Sequence, residues 1–304
     1  MDVGAQPLSR LRGLALSPQG VRRLALVNAA ALVLIIATGA TVRLTGSGLG
    51  CEHWPGCQPH HFEPRSFHSY IEFGNRVIAF LTILTTLATW IFARGHRRLA
   101  GVIFVGTLAQ APLGYLAVHS DLHWPVVAAH LLLSMALLAG AVVLALETLA
   151  LRSGSVEPFA PRELRTWSLA VAAAAGVLLV TGTLATAGGP HSGGGAQHVD
   201  RLWRLQPLIY VHAASVAVFA VALVFVLGYL ASGRARWPRL FALGGAVFAV
   251  LLVQMGLGEL QYRTHLPWEL VLVHVGLAAA VWGLLVAFVT VLWRPPAALA
   301  PTRT

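Results

Sequence analysis

The chain contains no lysine. All 21 of its basic residues are arginine, against 11 acidic residues, and charged residues make up only 11% of its 304 positions. With 57% hydrophobic residues and a mean hydropathy of +0.73, this shortage of charge excludes a large water-soluble core and points to a membrane protein. Cysteine is scarce too, with Cys51 and Cys57 the only two. The long apolar runs lack the proline and glycine interruptions that mark the broken helices of transporters, Pro112 being the exception. Nor is the first apolar run followed by a small-residue cleavage site and a soluble domain, so we expect a retained span rather than a signal peptide.

Crossing a bilayer takes about 20 apolar residues per helix. Eight segments qualify, at 24–43, 70–93, 99–118, 125–149, 166–187, 206–230, 239–260 and 268–293. Fifteen arginines fall on one side of this arrangement, among them Arg10, Arg12, Arg22, Arg23, Arg94 and Arg303; six fall on the other, Arg43, Arg65, Arg76, Arg201, Arg204 and Arg263. By the positive-inside rule both termini are expected in the cytoplasm, with the chain multi-pass in the cell membrane. The net charge of +10 therefore reads as topology and not as nucleic-acid binding.

The chain repeats itself. Gln254, Leu257, Gly258, Leu260 and His274 stand 144 positions after Gln110, Leu113, Gly114, Leu116 and His130, with no gap between them. Helices one and five match at an offset near 143, and helices two and six near 137, where Asn75 meets His212. The expected fold is thus all-α and integral to the membrane, with eight transmembrane helices in two pseudo-repeated four-helix bundles. The expected organisation is a cytoplasmic tail at 1–23, an N-terminal half at 24–150, a C-terminal half at 166–293 and a second cytoplasmic tail at 294–304.

Polar residues inside spans are costly and usually face a bundle interior. Asn75, His130, His212 and His274 each lie about two turns inside the outer face, on helices two, four, six and eight. Paired histidines at equal depth on neighbouring helices hold haem iron in bundles, so His212 and His274 are candidate axial ligands. The N-terminal half has Asn75 where the other half has His212, and a carboxamide is a poor iron ligand, which leaves His130 as the sole candidate there. His68 and His119 are outer residues that offer an alternative to the missing ligand. Glu72, one turn before Asn75, has Ile209 as its counterpart. A carboxylate in one half only suggests a reactive site rather than an electron-storing one; the plainer reading is an i, i+4 salt bridge with Arg76. Arg43 and Arg76 are candidate clamps for haem propionates, against simple interfacial anchoring. Cys51 and Cys57 lie in an outer, oxidising loop, where a disulfide is expected; a structural staple is preferred over a redox-active pair.

The segment from Thr38 to Cys51, with Gly46-Ser-Gly-Leu-Gly-Cys51 at its end, then Trp54-Pro-Gly-Cys57 and Ile71-Glu-x-x-Asn-Arg76, resembles the haem A synthases. The resemblance extends from about residue 24 to 293. It implies a membrane oxidoreductase that turns one ring methyl of haem O into a formyl group, giving haem A for terminal oxidases. It implies haem b on His212 and His274, the haem O substrate beside Glu72 and His130, and a disulfide between Cys51 and Cys57. A haem O synthase and an electron donor such as quinol are the partners it raises. Electrons would pass through the haem b side, and successive hydroxylations of the methyl would give a hydrate that collapses to the aldehyde. The family motif usually has histidine where Asn75 stands. Two competing readings are a di-haem b-type electron-transfer protein, which would want four strong ligands and no lone glutamate, and a transporter, which would show no haem absorbance.

Overall fold

The computed structural model describes residues 16–59, 62–158, 160–195, 199–234 and 236–299. The expected tail segments 1–15 and 300–304, with Arg10, Arg12 and Arg303, lie outside the described residues. Eight long helices follow one another: α1 (Pro18–Leu44), α2 (Phe67–Phe92), α3 (Arg97–His119), α4 (Trp124–Ser153), α5 (Arg162–Gly188), α6 (Leu205–Ser232), α7 (Pro238–Arg263) and α8 (Trp268–Trp293). Each is long and apolar enough to cross a membrane, so the chain is a multi-pass membrane protein. Every expected span lies within one of them or overruns its end by a residue. The largest difference is at the start of α1, which begins six residues early at Pro18.

Local chemistry explains those starts. The Ser17 hydroxyl accepts the Gly20 amide at 3.1 Å, and Pro18 follows where its missing N–H costs nothing. At α2, Ser66 and Ser69 form a reciprocal capping box. Pro112 sits inside α3 without ending it.

The helices close into two rings. In the first, α1 packs on α2 and α4, and α3 joins α2 to α4; in the second, α5 packs on α6 and α8, and α7 joins α6 to α8. Each ring has its own apolar core, one around Leu32, Ile103, Leu138 and Leu144, the other around Phe219, Leu223, Leu285 and Phe288. The rings meet along α4 and α8, with α1 on α8 and α4 on α5 at the edges. Trp282 on α8 donates to the Met135 carbonyl on α4 at 2.8 Å across this seam. At the arginine-rich end, the linker after α4 pairs with the C-terminal stretch through a single bridge, Ser155 to Pro296.

The repeat extends to backbone detail. The α3–α4 turn places Asp121 and Leu122 at φ 50° and 59°; the α7–α8 turn places His265 and Leu266 at 65° and 61°. Both turns close the same way, Leu122 N–H on Ala117 O at 2.8 Å and Leu266 N–H on Gln261 O at 2.7 Å.

Candidate functional site

Each of the four candidate ligand positions lies against a glycine on the preceding helix. A Cβ at Gly182 would stand 2.9 Å from Cε1 of His212, and one at Gly258 would stand 3.2 Å from Cε1 of His274. In the other ring the distances are 3.8 Å from Gly114 to His130 and 4.0 Å from Gly39 to the Asn75 amide oxygen. Glycine at these places lets a side chain lie directly on the neighbouring helix backbone. Gly39 and Gly182 are 143 apart, Gly114 and Gly258 are 144 apart, so the cradle belongs to the repeat.

The same helices supply polar partners. Thr38 donates to the Asn75 oxygen at 2.8 Å, and its counterpart Thr181 lies 3.3 Å from His212 Nδ1. On the other wall, Gln110 donates to the His130 carbonyl at 3.1 Å and Gln254 to the His274 carbonyl at 2.9 Å. The Nδ1 atoms of His130 and His274 are buried without a partner. His212 and His274 stand near enough to act on each other electrostatically. Imidazole rings not engaged by protein hydrogen bonds at His130 and His274, glycine clearances and an apolar surround suit a porphyrin held by histidines. These residues fit such a group. Among the described residues no cluster of three or more His, Cys, Asp or Glu forms a separate metal site.

His68 and His119 do not stand at the level of Asn75. The first meets the Ser47 hydroxyl at 2.8 Å, two turns outward, and the second meets the Tyr115 carbonyl at 3.1 Å while stacked on its ring. Among the histidines considered for that ring, His130 alone stands at the level of Asn75.

Glu72 is buried, and both its oxygens are engaged. One accepts the Cys51 amide at 2.9 Å; the other pairs with Arg76. The guanidinium of Arg76 also donates to the His53 carbonyl at 2.7 Å and to the Pro55 and Gly56 carbonyls. Cys51 and Cys57 are joined by a disulfide, so the pair on α2 grips a closed seven-residue loop from both sides. The salt bridge therefore exists, and it doubles as a latch on the loop that covers the N-terminal ring. A buried pair satisfied this fully is costly to break from one side only.

Arg43 reaches the other ring. Its Nε donates to His191 O at 3.0 Å and its Nη2 to Thr186 O at 2.8 Å. The loops cross nearby: Gly48 donates to Gly193 O at 2.8 Å, and a Cβ at Gly46 would stand 2.8 Å from Gly195 Cα. Only glycine permits that approach, and Gly46 adopts φ 67° to make it. Arg43 pairs with no carboxylate among the described residues, and Arg201 lies close enough to repel it. Two adjoining cations at the rim suit an anionic group.

The residues that seat the four candidate positions were harder to see in the sequence than the positions themselves. Gln110, Gly114 and their copies were visible as repeat letters, and Thr38-Gly39 and Thr181-Gly182 share the 143 offset; that shared spacing was the available signal.

The sequence matches the family model COX15-CtaA, cytochrome oxidase assembly protein, over residues 22–68 and 61–190, which takes in Glu72, Asn75 and His130. A protein of Symbiobacterium thermophilum named Heme A synthase is 28% identical over 293 residues, covering 88% of this chain and 94% of that protein. Heme A synthase of Geobacillus kaustophilus is 34% identical over 104 residues, 32% of this chain and 33% of the relative. That of Bacillus licheniformis is 29% identical over 136 residues, 42% and 45% of the two. Against the two Geobacillus relatives the chain thus matches about a third of their length.

Proposed function

The chain belongs to the COX15-CtaA family of cytochrome oxidase assembly proteins, and from that premise we propose that it is a haem A synthase. It acts as a membrane oxidoreductase that converts a ring methyl of haem O into a formyl group. The observation that carries the reading is the asymmetry of two rings built alike: Asn75 and Glu72 in one stand where His212 and Ile209 stand in the other.

In this reading residues 166–293 form the haem b half, where His212 and His274 would hold the group. Residues 24–150 form the substrate half, where His130 holds the haem O iron and Asn75 leaves the opposite face without a strong ligand. Haem b supplies one-electron redox chemistry when bound. Thr181 and Gln254 orient its ligands, and Thr38 turns the Asn75 oxygen away from the substrate. Arg43 and Arg76 flank the propionate end, Arg43 offering uncompensated charge and Arg76 balanced by Glu72. Glu72, held by Cys51 N–H and Arg76, manages charge or protons beside the reacting methyl. Both termini lie in the cytoplasm; a haem O synthase and an electron donor such as quinol are the partners.

The test is the reduced pyridine-haem spectrum of the purified chain, expressed with and without a haem O supply. Haem b alone without supply, and haem A with it, is the expected result. Two haem b groups and no conversion would transfer the chain to the di-haem electron-transfer class. Glu72→Ala should keep haem b and lose formyl production. Normal haem A from that variant would remove Glu72 from the chemistry.

A further inference from the structure

Below the level of the candidate ligands, toward the arginine-rich face, the two rings differ at a set of matched buried positions. The C-terminal ring buries Val171, Phe219, Leu223, Val226 and Leu251, all 2% exposed or less. The repeat offsets carry these onto Asn28, Thr82, Thr86, Thr89 and Thr107 of the N-terminal ring, themselves 5% exposed or less. Five buried apolar positions in one half are thus five buried polar positions in the other. Among the described residues, Ser168 and Gln254 are the buried polar side chains of the C-terminal ring below that level; Ser168 bonds to its own helix and Gln254 to the His274 carbonyl.

Asn28 is the telling member. It is fully buried, and neither its Nδ2 nor its Oδ1 has a partner. An amide left so inside a bundle is costly unless small polar molecules satisfy it. The threonines donate to their own helix carbonyls, as with Thr107 to Ile103 and Thr89 to Thr85, so their oxygens remain free to accept. Asn28 stands eleven residues from Gly39 on α1, and Thr86 eleven residues from Asn75 on α2, so both share a level roughly 16 Å below the site. At the arginine-rich end stand His96 and Glu147, whose Nδ1 and Oε2 lie 3.9 Å apart, with the other Glu147 oxygen 3.1 Å from Arg294; His96 Nε2 is buried and unpartnered. Glu147 corresponds to the buried Val291 of the other ring.

We propose that the N-terminal ring binds a column of water along Asn28 and the threonines, carrying protons between its arginine-rich mouth and the His130–Asn75 site. The proton role rests on the reading of the N-terminal ring as the reactive one; the water itself does not. Replacing two C–H bonds of a methyl by a carbonyl makes protons and water reactants or products. A ring that only stores electrons needs neither, and its interior is filled with hydrocarbon.

The experiment is X-ray hydroxyl-radical footprinting of the full chain in 18O-water, read by mass spectrometry, beside haem conversion and haem content. The variant is Asn28→Val with Thr86→Leu, the residues the second ring already accommodates; Asn28→Ser is the conservative control. Oxidation of buried Leu32 and Ile36, with none at Phe219 and Leu223, is expected. It should fall to the C-terminal level in the double variant and persist in Asn28→Ser, with conversion slowed and haem content unchanged. Equal labelling of the two rings, or labelling that survives the double substitution, overturns the water column. Labelling abolished with conversion unchanged overturns the proton role. A wild-type chain that labels in one ring but converts nothing keeps the column and removes the proposed reaction instead.

Discussion

The four glycines offer a graded test because one substitution meets four different clearances. Carbon atoms in comfortable contact lie about 3.5–4.0 Å apart. Alanine at 182 would place Cβ 2.9 Å from the His212 ring, so the ring must retreat by about 0.6 Å or more. At 258 the clearance of 3.2 Å asks for a few tenths, and at 114 and 39 the clearances of 3.8 and 4.0 Å ask for nothing. Overpacking of this kind costs about 1–3 kcal/mol, and each 1.4 kcal/mol is tenfold in an equilibrium constant. Gly182→Ala should therefore weaken haem b about 10- to 100-fold, and Gly258→Ala less. Gly114→Ala and Gly39→Ala should go the other way in stability, gaining up to about 1 kcal/mol from helix propensity. The assay is haem titration of the apoprotein by absorbance, with thermal melts of each variant run without haem. The unloaded His212 ring is free to turn away, so the melt should change less than the affinity. Equal losses at all four positions, or a loss confined to 39 and 114, would refute the cradle.

Other outcomes follow from the same geometry. Asn75→His should be tolerated, with Thr38 binding the new ring as Thr181 binds His212; the substrate haem should turn low-spin and conversion should fall, checked by electron paramagnetic resonance. Glu72→Gln keeps an acceptor for Cys51 N–H but loses the charge facing Arg76, so a melt near wild type with conversion lost would separate chemistry from latch. Reducing the Cys51–Cys57 disulfide should cost about 2 kcal/mol of stability at most, because Glu72 and Arg76 also hold the loop; calorimetry with and without reductant checks this. Arg43→Ala should lower the melting temperature by the equivalent of about 2 kcal/mol while haem b stays bound.

Much of this was legible in the letters. Span number and order followed from hydropathy, because a bilayer imposes a length that few other environments require. The two-ring plan followed from a repeat that is ungapped over one hairpin of each half. Asn75, His130, His212 and His274 were legible because polar groups are rare at that depth. The arginines were not. Arg43 and Arg76 bond to carbonyls of loops whose paths depend on Gly46, Gly195 and the closed cysteine loop, and no periodicity encodes such paths. The salt bridge of Glu72 was foreseen as an i, i+4 option, but its second grip on the Cys51 amide was not. Asn28 went unnoticed because a lone asparagine near the start of an apolar helix reads as surface until its burial and its Val171 counterpart are both seen.

The paired left-handed turns bear on how the two halves came to differ. Each site has one wall on a hairpin, α3–α4 or α7–α8, closed by a four-residue joint with the same backbone in both copies. That wall is alike in the two halves: Gln110, Gly114 and His130 against Gln254, Gly258 and His274. The opposite wall stands on α1–α2 or α5–α6, joined by long loops of unequal length. The departures at the candidate ligand level, Asn75 for His212 and Glu72 for Ile209, lie on that second wall. A stiff joint held half of each cavity constant, and the slack connection was where a duplicated module had freedom to specialise.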